Sequence, residues 1–319
     1  MKLGGDYMKK IPVILDGDPG HDDAISYVIA RANPLIDIKL LCSVNGNQTI
    51  DKTTINTLKI ANLLDINCPI SKGAIRPLIA PIMPAGNWHG ETGLDGYDLN
   101  IGDKKLTDTP AYEMMYEVLY NSQEKVTIIS TGPLTNVAIL LKTYPEIKNK
   151  IKMIAIMGGG IIHGNWTPAS EYNILVDPEA AKIVFDSGIK INAAVLDATE
   201  KAIIKPSDFP RIEQVNNKVS QVVLAWLKFF YKHPMEIGYE GAPIHDPLAL
   251  LSITNPEILK IQKMHIDIDL DGKYTRGMFV YDRRHSSKLK PNADIVLDID
   301  RDKFVDLLIN ALHYYDGRK

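Results

Sequence analysis

A dense group of carboxylates is the strongest chemical signal in this 319-residue chain. The segment Asp16-Gly-Asp18-Pro-Gly-His-Asp22-Asp23 places four aspartates directly after the apolar residues 11–15. Negative charges this close repel one another, so folding raises some of their pKa values unless a cation lies among them. Carboxylate oxygens favour a hard ion such as Ca²⁺ or Mg²⁺, and no neighbouring cysteine or histidine cluster favours zinc. The segment therefore predicts a divalent-cation site.

Two other interpretations of this acidic segment stay open from the residues alone. Aspartate is favoured at the N-cap and in the first turn of a helix, which would account for one or two of the four. An aspartate after a strand is also the nucleophile of haloacid-dehalogenase-type phosphatases, but Pro19-Gly20 stands where those motifs have threonine or valine. A phosphatase would further need a later lysine and a second acidic pair, for which the chain offers no convincing placement.

The elements that must position these aspartates are short apolar runs that alternate with amphipathic stretches. Strands are predicted at residues 11–15, 36–44, 126–130, 151–157 and 189–196. Helices are predicted at residues 22–31, 53–64, 134–142, 178–186 and 215–231. This alternation predicts an α/β fold in one domain, with a mostly parallel open sheet, a Rossmann-like core and helices on both faces. In such a sheet the ligand crevice lies at the carboxyl ends of the strands.

Polar segments follow several of these strands, where a crevice would be. They include Asn45-Gly-Asn47, Thr131-Gly-Pro133 and the glycines of residues 157–160. Residues 76–106 and 232–243 have little periodicity and are predicted as loops. Long loops inside compact domains are commonly functional.

Composition and charge exclude several classes of protein. A net charge of −3 gives no field that would attract nucleic acid. No apolar run approaches the roughly 20 residues of a membrane span, and no signal-peptide core follows the first lysines. Two cysteines are too few for a disulfide framework or a structural zinc site. We expect a cytoplasmic protein that acts on a small molecule and has no nucleic acid or membrane partner. The domain is expected to cover residues 8–319, and residues 1–7 are expected to be a leader or cloning remnant.

The motifs, taken together and in order, resemble those of the inosine-uridine preferring nucleoside hydrolases. The acidic segment is similar to the N-terminal signature of that family. The other matching segments are Val44-Asn-Gly-Asn47-Gln, His89-Gly-Glu-Thr-Gly-Leu-Asp-Gly, Thr131-Gly-Pro-Leu-Thr-Asn, Met157-Gly-Gly-Gly, Asn165-Trp-Thr-Pro, Glu171-Tyr-Asn173-Ile-Leu-Val-Asp-Pro-Glu-Ala and His245-Asp246-Pro. The resemblance implies the nucleoside hydrolase fold, a homodimer or homotetramer, and hydrolysis of purine or pyrimidine ribonucleosides to free base and ribose in nucleoside salvage.

The resemblance also implies a metal and catalytic residues. The ligands of Ca²⁺ would be three carboxylates and one backbone carbonyl, those of Asp18, Asp23, Asp246 and Thr131. A metal-activated water would attack the anomeric carbon with Asp18 as general base, which parallels inverting glycoside hydrolysis. His245 would give a proton to the departing base, since histidine titrates near neutral pH. Asp16 would orient the ligands without contacting the metal.

A further set of side chains would bind the nucleoside. Its members are Asp22, Asn47, His89, Met157, Asn165, Glu171 and Asn173. Asp22 and Asn47 would hold the 2′ and 3′ side of the ribose, and a site built for a hydroxyl rejects the sugar that lacks it. Glu171 and Asn173 lie two residues apart, which predicts an extended segment with both side chains on one face. His21, inside the signature, is predicted to be structural.

The side of the site that would bind the base is less defined. In the family two loops set base specificity, here about residues 76–95 and 228–243. Five rings could stack on a base or simply pack within the loops, those of Trp88, Trp166, Tyr172, His233 and Tyr239. Some members have a tyrosine and an arginine before the His-Asp pair, whereas residues 231–241 contain no arginine. The residues favour activity on both purine and pyrimidine ribonucleosides. A non-catalytic nucleoside- or sugar-binding protein stays the alternative to a hydrolase.

Overall fold

The structure is a computed structural model that describes residues 9–86, 88–284 and 286–318, so the predicted leader at residues 1–7 lies outside the described residues. The strands are β1 (Ile11–Gly17), β2 (Ile36–Ser43), β3 (Ile70–Lys72), β4 (Val126–Ser130), β5 (Ile151–Met157), β6 (Ile191–Ala194), β7 (Ile203–Ile204), β8 (Ala242–Pro243), β9 (Leu259–Met264), β10 (Ile266–Ile268), β11 (Phe279–Tyr281) and β12 (Ala293–Ile299). The α-helices are α1 (His21–Ala32), α2 (Ile50–Leu63), α3 (Ala111–Asn121), α4 (Thr135–Thr143), α5 (Tyr172–Val176), α6 (Pro178–Phe185), α7 (Leu196–Thr199), α8 (Phe209–Val215), α9 (Lys218–Phe230), α10 (Lys232–Glu236), α11 (Pro247–Thr254) and α12 (Arg301–His313).

The main sheet has eight strands in the order β3-β2-β1-β4-β5-β6-β12-β9. Each neighbouring pair is parallel except the last, in which β9 runs antiparallel to β12 at one edge. The predicted α/β fold with a mostly parallel open sheet is confirmed. The strand order reverses between β1 and β4, and ligands of such sheets bind at that switch point, beyond the carboxyl ends of the strands.

Alternate side chains of the central strands pack against two different layers of helices. Val13 and Leu15 join one core with α1, α9, α11 and α12, while Ile14 joins a second core with α3, α4 and α6. Because both faces of the sheet are covered, its strands are apolar without alternation, which is why short apolar runs predict them. Among the described residues, no helix combines the length and the apolar character that crossing a membrane requires.

Two predicted segments differ from the structure. The single helix predicted at residues 215–231 is divided, because Asn216 adopts a left-handed conformation (φ 51°) that ends α8. Asn217 then starts α9 as its N-cap, where its Oδ1 accepts a hydrogen bond from Ser220 N at 2.8 Å. The loop predicted at residues 232–243 contains α10 and also β8, which pairs with β7. Residues 76–106, where they are described, form neither strand nor helix, as predicted.

Candidate active site

The acidic segment lies at the switch point of the sheet, between the end of β1 and the first turn of α1. Pro19 and Gly20 make the connection, and α1 begins at His21. Gly20 N donates to Asp23 Oδ2 at 3.0 Å, so one of the four aspartates does cap the helix. Capping therefore accounts for part of the segment and leaves the remaining carboxylates to be explained.

Three buried carboxylates converge at this point. One oxygen from each of Asp22, Asp23 and Asp246 lies within 4.8 Å of the others. Burial raises the pKa of all three side chains, and the charge of a neighbouring aspartate raises that of Asp22 and Asp246 further. Asp22 Oδ1 is buried without a hydrogen-bond partner in the described part of the chain. Unpaired carboxylate oxygens with no cationic side chain are the donor set that a hard divalent ion takes, so these residues fit such an ion.

Asp18 stands beside this group rather than within it. Its Oδ2 accepts a hydrogen bond from Asn47 N at 2.6 Å, and its Oδ1 is buried without a partner among the described residues. A Cβ at Gly46 would overlap Asp18 Oδ2, so only glycine fits beside this carboxylate. Asp18 is held by the Asn47 amide, and its charge helps to raise the pKa of Asp246, so it lies near the converging group. The metal-ligand role of Asp18 stays a prediction.

Thr131, at the end of β4, connects the carboxylates to the neighbouring wall of the crevice. Its Oγ1 donates to Asp23 Oδ1 at 2.6 Å. Its carbonyl oxygen, the predicted metal ligand, accepts a hydrogen bond from Asn173 Nδ2 at 2.8 Å. A predicted metal ligand and a predicted sugar-binding residue are therefore in direct contact.

Asp16 lies beneath this group and joins three strand ends. It accepts hydrogen bonds from Asn136 Nδ2 at 2.7 Å and Ser130 Oγ at 3.4 Å, and Asn136 Nδ2 also donates to Ser43 O. Burial raises the pKa of Asp16 to about 7. These contacts fit the predicted orienting role, since they fix the ends of β1, β2 and β4 relative to one another.

The carboxylates border a pocket with an empty volume of about 750 Å³, including its open mouth. All seven predicted nucleoside-binding residues line this pocket, namely Asp22, Asn47, His89, Met157, Asn165, Glu171 and Asn173. Thr131, His245 and Asp246 line it as well, whereas Asp18 and Asp23 are not part of its lining. The lining therefore joins the predicted nucleoside-binding side chains to two of the predicted metal ligands, Thr131 and Asp246.

The segment around Glu171 is helical, so its predicted extended conformation is wrong. Glu171 is the N-cap of α5, and its carboxylate accepts hydrogen bonds from the backbone nitrogens of Asn173 (2.8 Å), Ile174 (3.1 Å) and Gly159 (2.9 Å). A carboxylate that satisfies the free N–H groups of a first turn stabilises a helix there. Both side chains still reach the pocket, because α5 is short and starts at its edge.

His89 is held in the pocket wall by a second histidine. His89 Nδ1 accepts a hydrogen bond from His21 N at 3.2 Å and lies 3.1 Å from His21 Nδ1, while its ring stacks on Phe230 at 5.1 Å. His21 Nε2 contacts Asp95 O at 2.7 Å. Burial lowers the pKa of His21 to about 4 and that of His89 well below its usual value. His21 thus supports a pocket residue.

His245, the predicted leaving-group acid, faces the pocket next to Asp246. Its Nδ1 lies 2.8 Å from Thr199 Oγ1. Burial lowers the pKa of His245 to about 4, so the imidazole is neutral at neutral pH. The structure thus places His245 at the pocket, and its role as leaving-group acid stays a prediction.

The aromatic side chains suggested for base stacking have different positions. Trp88, Trp166, Tyr172 and Tyr239 line the pocket. Tyr172 is fixed by hydrogen bonds from its hydroxyl to Gly46 O (2.6 Å) and Met83 O (2.7 Å). His233 is outside the lining and packs edge-on against Trp88, with 4.3 Å between ring centroids.

Sequence reasoning missed four lining residues, Ala85, Glu200, Phe230 and Pro243. The position of Glu200 in the sequence could have identified it as a lining residue. It follows β6 and the short helix α7, and polar side chains beyond the carboxyl end of a parallel strand face the ligand crevice.

Comparison with known proteins gives one consistent result. The family model of the inosine-uridine preferring nucleoside hydrolases matches residues 13–306. Pyrimidine-specific ribonucleoside hydrolases RihA of Salmonella newport (strain SL254) and Escherichia coli O1:K1 / APEC are each 46% identical over 308 residues, covering 96% of this chain and 99% of theirs. A purine-preferring ribonucleoside hydrolase from Gardnerella vaginalis has a similar structure, with a TM-score of 0.88, 25% identity and coverage of 95% of this chain and 98% of that one.

Proposed function

The chain belongs to the inosine-uridine preferring nucleoside hydrolase family and is a ribonucleoside hydrolase, and from that premise we propose that it cleaves pyrimidine ribonucleosides in a Ca²⁺-dependent reaction. The pyrimidine preference is narrower than the residues alone favour, and it is supported by the RihA relatives at 46% identity. The observation that carries the proposal is the convergence of buried Asp22, Asp23 and Asp246 at a pocket lined by the nucleoside-binding set.

The residues that would hold the ion are oxygen donors around Asp23. Asp23 and Asp246 belong both to the converging group and to the predicted ligand set, which Asp18 and the Thr131 carbonyl complete. When bound, Ca²⁺ would supply Lewis-acid activation of a water molecule and of the ribose hydroxyls. The raised pKa values of these carboxyls support the assignment, because a cation would remove the cost of burying their charges.

The hydrolysis needs a group that takes one proton from water. Asp18 Oδ1 is unpaired in the described structure while its Oδ2 is held by Asn47 N, so this carboxylate is oriented and has a free oxygen for that proton. A new bond forms between the water oxygen and the anomeric carbon, and the electron pair of the N-glycosidic bond leaves with the base. We propose that His245, which faces the pocket beside Asp246, gives the departing base its proton, and that the proton taken up by Asp18 is later released to solvent.

Release of reducing sugar from uridine, cytidine, inosine, adenosine and guanosine tests the proposal. Each substrate is measured after chelation and again after Ca²⁺ is returned. Release from uridine and cytidine that chelation stops and Ca²⁺ restores is the expected result. Preferred cleavage of the purine nucleosides would overturn the pyrimidine assignment, and activity that survives chelation would overturn the Ca²⁺ dependence.

A non-catalytic nucleoside-binding protein is the alternative that the same assay addresses. Asp23→Asn should abolish sugar release, while the matched change Asp302→Asn, at a side chain that is 89% exposed, should leave it unchanged. Uridine binding without turnover by the unmodified protein in Ca²⁺ would support the alternative. We further propose that the cellular task is nucleoside salvage in the cytoplasm and that the protein acts as a homodimer or homotetramer. Light scattering of the purified protein tests the oligomeric state.

A further inference from the structure

A second acidic side chain lines the pocket, apart from the aspartates that converge at the end of β1. Glu200 follows α7, and its side chain is 19% exposed. Its Oε1 accepts a hydrogen bond from the Tyr239 hydroxyl at 2.8 Å. His163 Nε2 lies 3.3 Å from its other oxygen, Oε2. The function proposed above gives neither Glu200 nor Tyr239 a role.

The direction of the hydrogen bond between these side chains is fixed by their chemistry. An ionised carboxylate only accepts, whereas a tyrosine hydroxyl has one proton to donate and lone pairs that accept. The Tyr239 proton is therefore directed at Glu200, and the lone pairs of the same oxygen are left for a ligand. Burial and the Glu200 carboxylate raise the pKa of Tyr239, which keeps the hydroxyl protonated. Tyr239 and Glu200 both line the pocket, so the hydrogen bond that joins them lies in its wall.

We propose that Glu200 positions Tyr239 as an acceptor for an N–H group of the base, so that the enzyme selects bases that carry such a group. The N3–H of uracil and the amino group of cytosine have this chemistry. This inference rests on the proposed cleavage of ribonucleosides in the same pocket. Glu200 is a positioning residue, since it acts on the base through Tyr239.

The contact favours substrate binding over bond cleavage. As the base departs it gains electron density, and its N–H group becomes a poorer donor towards an acceptor. The hydrogen bond is then at least as strong in the bound substrate as in the transition state. Losing it should raise KM and leave kcat nearly unchanged.

Steady-state cleavage of uridine and 3-methyluridine by four proteins tests the inference. The proteins are the unmodified enzyme, Glu200→Ala, Tyr239→Phe and the control Glu240→Ala. Glu240 is adjacent to Tyr239 in sequence, is 74% exposed and pairs with Lys205, so the same chemical change is made outside the pocket. 3-Methyluridine lacks the only N–H of the uracil ring, and its inhibition constant against uridine replaces KM wherever it is not cleaved.

The expected result is a rise of about tenfold in KM for uridine in Glu200→Ala and Tyr239→Phe, with kcat within about twofold. The KM or inhibition constant for 3-methyluridine should stay within about twofold in the same variants. The double variant should be no worse than Tyr239→Phe alone, because Glu200 acts through that hydroxyl. Thermal unfolding of each variant verifies that it is folded.

Equal rises in KM for both substrates, or a fall in kcat alone, would overturn the inference while the hydrolase assignment stands. Additive effects in the double variant would also overturn it, since they would mean that Glu200 contacts the base independently. If the unmodified enzyme releases ribose from no nucleoside in the presence of Ca²⁺, the proposed function itself fails. The two failures are therefore distinguishable.

Discussion

The two ends of the pocket are built in different ways. At the acidic end, Asp18 and Asp23 are at most 1% exposed; Asp18 follows directly on β1 in the middle of the sheet, and Asp23 lies in the first turn of α1. At the other end, Trp88 and Tyr239 are half-buried and lie in segments that connect helices and short strands. Under the proposed function, the reaction chemistry would lie at the end of a central strand, and the contacts that choose among bases would lie on connecting segments, which vary more readily.

The strongest test of the acidic end uses the sugar rather than a mutation. Uridine should be cleaved roughly 10⁴-fold faster than 2′-deoxyuridine, as kcat/KM, because a site built to bind a hydroxyl leaves buried polar groups unpaired when the hydroxyl is absent. Asp22 Oδ1, buried and without a partner among the described residues, is one such group. Equal rates for the two sugars would mean that this end of the pocket does not recognise the ribose.

Asp18→Asn should lower kcat by roughly 10³-fold, the usual contribution of a general base. Asparagine keeps the size of the side chain and the hydrogen bond from Asn47 N, so at saturating Ca²⁺ the loss would report the missing carboxylate rather than a change of shape. Steady-state rates on uridine measure this loss of kcat, and Asp302→Asn is the control at an exposed side chain. A loss below tenfold would remove Asp18 from the base role.

A mutation at the opposite end should have a smaller effect of another kind. Trp88→Ala should raise KM for uridine by about tenfold, the loss expected for one aromatic contact with a base, with kcat nearly unchanged. Tyr274→Ala removes a ring that is 78% exposed and outside this pocket, and it should change neither constant. If Trp88→Ala lowered kcat as strongly as Asp18→Asn, the two ends would not be functionally separate.

The smallest expected effect is on the free energy of unfolding, and it concerns Asp16 at the acidic end of the pocket. Burial raises the pKa of Asp16 to about 7, so the folded state binds this proton more tightly than the unfolded state. The buried histidines, whose pKa values are lowered, still release protons in the unfolded state above pH 6.5 and so raise the stability with pH, but the Asp16→Asn variant has the same histidines. From pH 6.5 to 8 the free energy of unfolding of the chelated protein should therefore fall by about 1 kcal/mol relative to that of chelated Asp16→Asn.

Urea unfolding of the unmodified protein and of Asp16→Asn at the two pH values measures this relative decrease. A difference in stability between the two proteins that stays constant or grows in favour of the unmodified protein over this interval would contradict the prediction. Added Ca²⁺ should raise the stability most at pH 8, where the most carboxylates are ionised.

The acidic end was predictable from the sequence because its spacing is local. Asp16 to Asp23 run from the end of β1 to the first turn of α1, and several of the other matching motifs follow other strands of the same sheet. The other end joins residues that are far apart in sequence. Tyr239 meets Glu200, 39 residues earlier, and Trp88 meets His233, contacts that no local pattern encodes. Helical periodicity also missed the division between α8 and α9, because a left-handed Asn216 breaks a pattern that is otherwise continuous.

Gly46 has a consequence for mutational tolerance. Its backbone conformation is one that other residues adopt freely, so alanine there would not be rejected by the main chain. The methyl group would instead collide with the end of the Asp18 side chain and displace it. In a library screened separately for folded protein and for turnover, substitutions at residue 46 should pass the first screen and fail the second. Substitutions at residue 46, which has no side chain, would then have the same effect in the screen as substitutions at a catalytic residue.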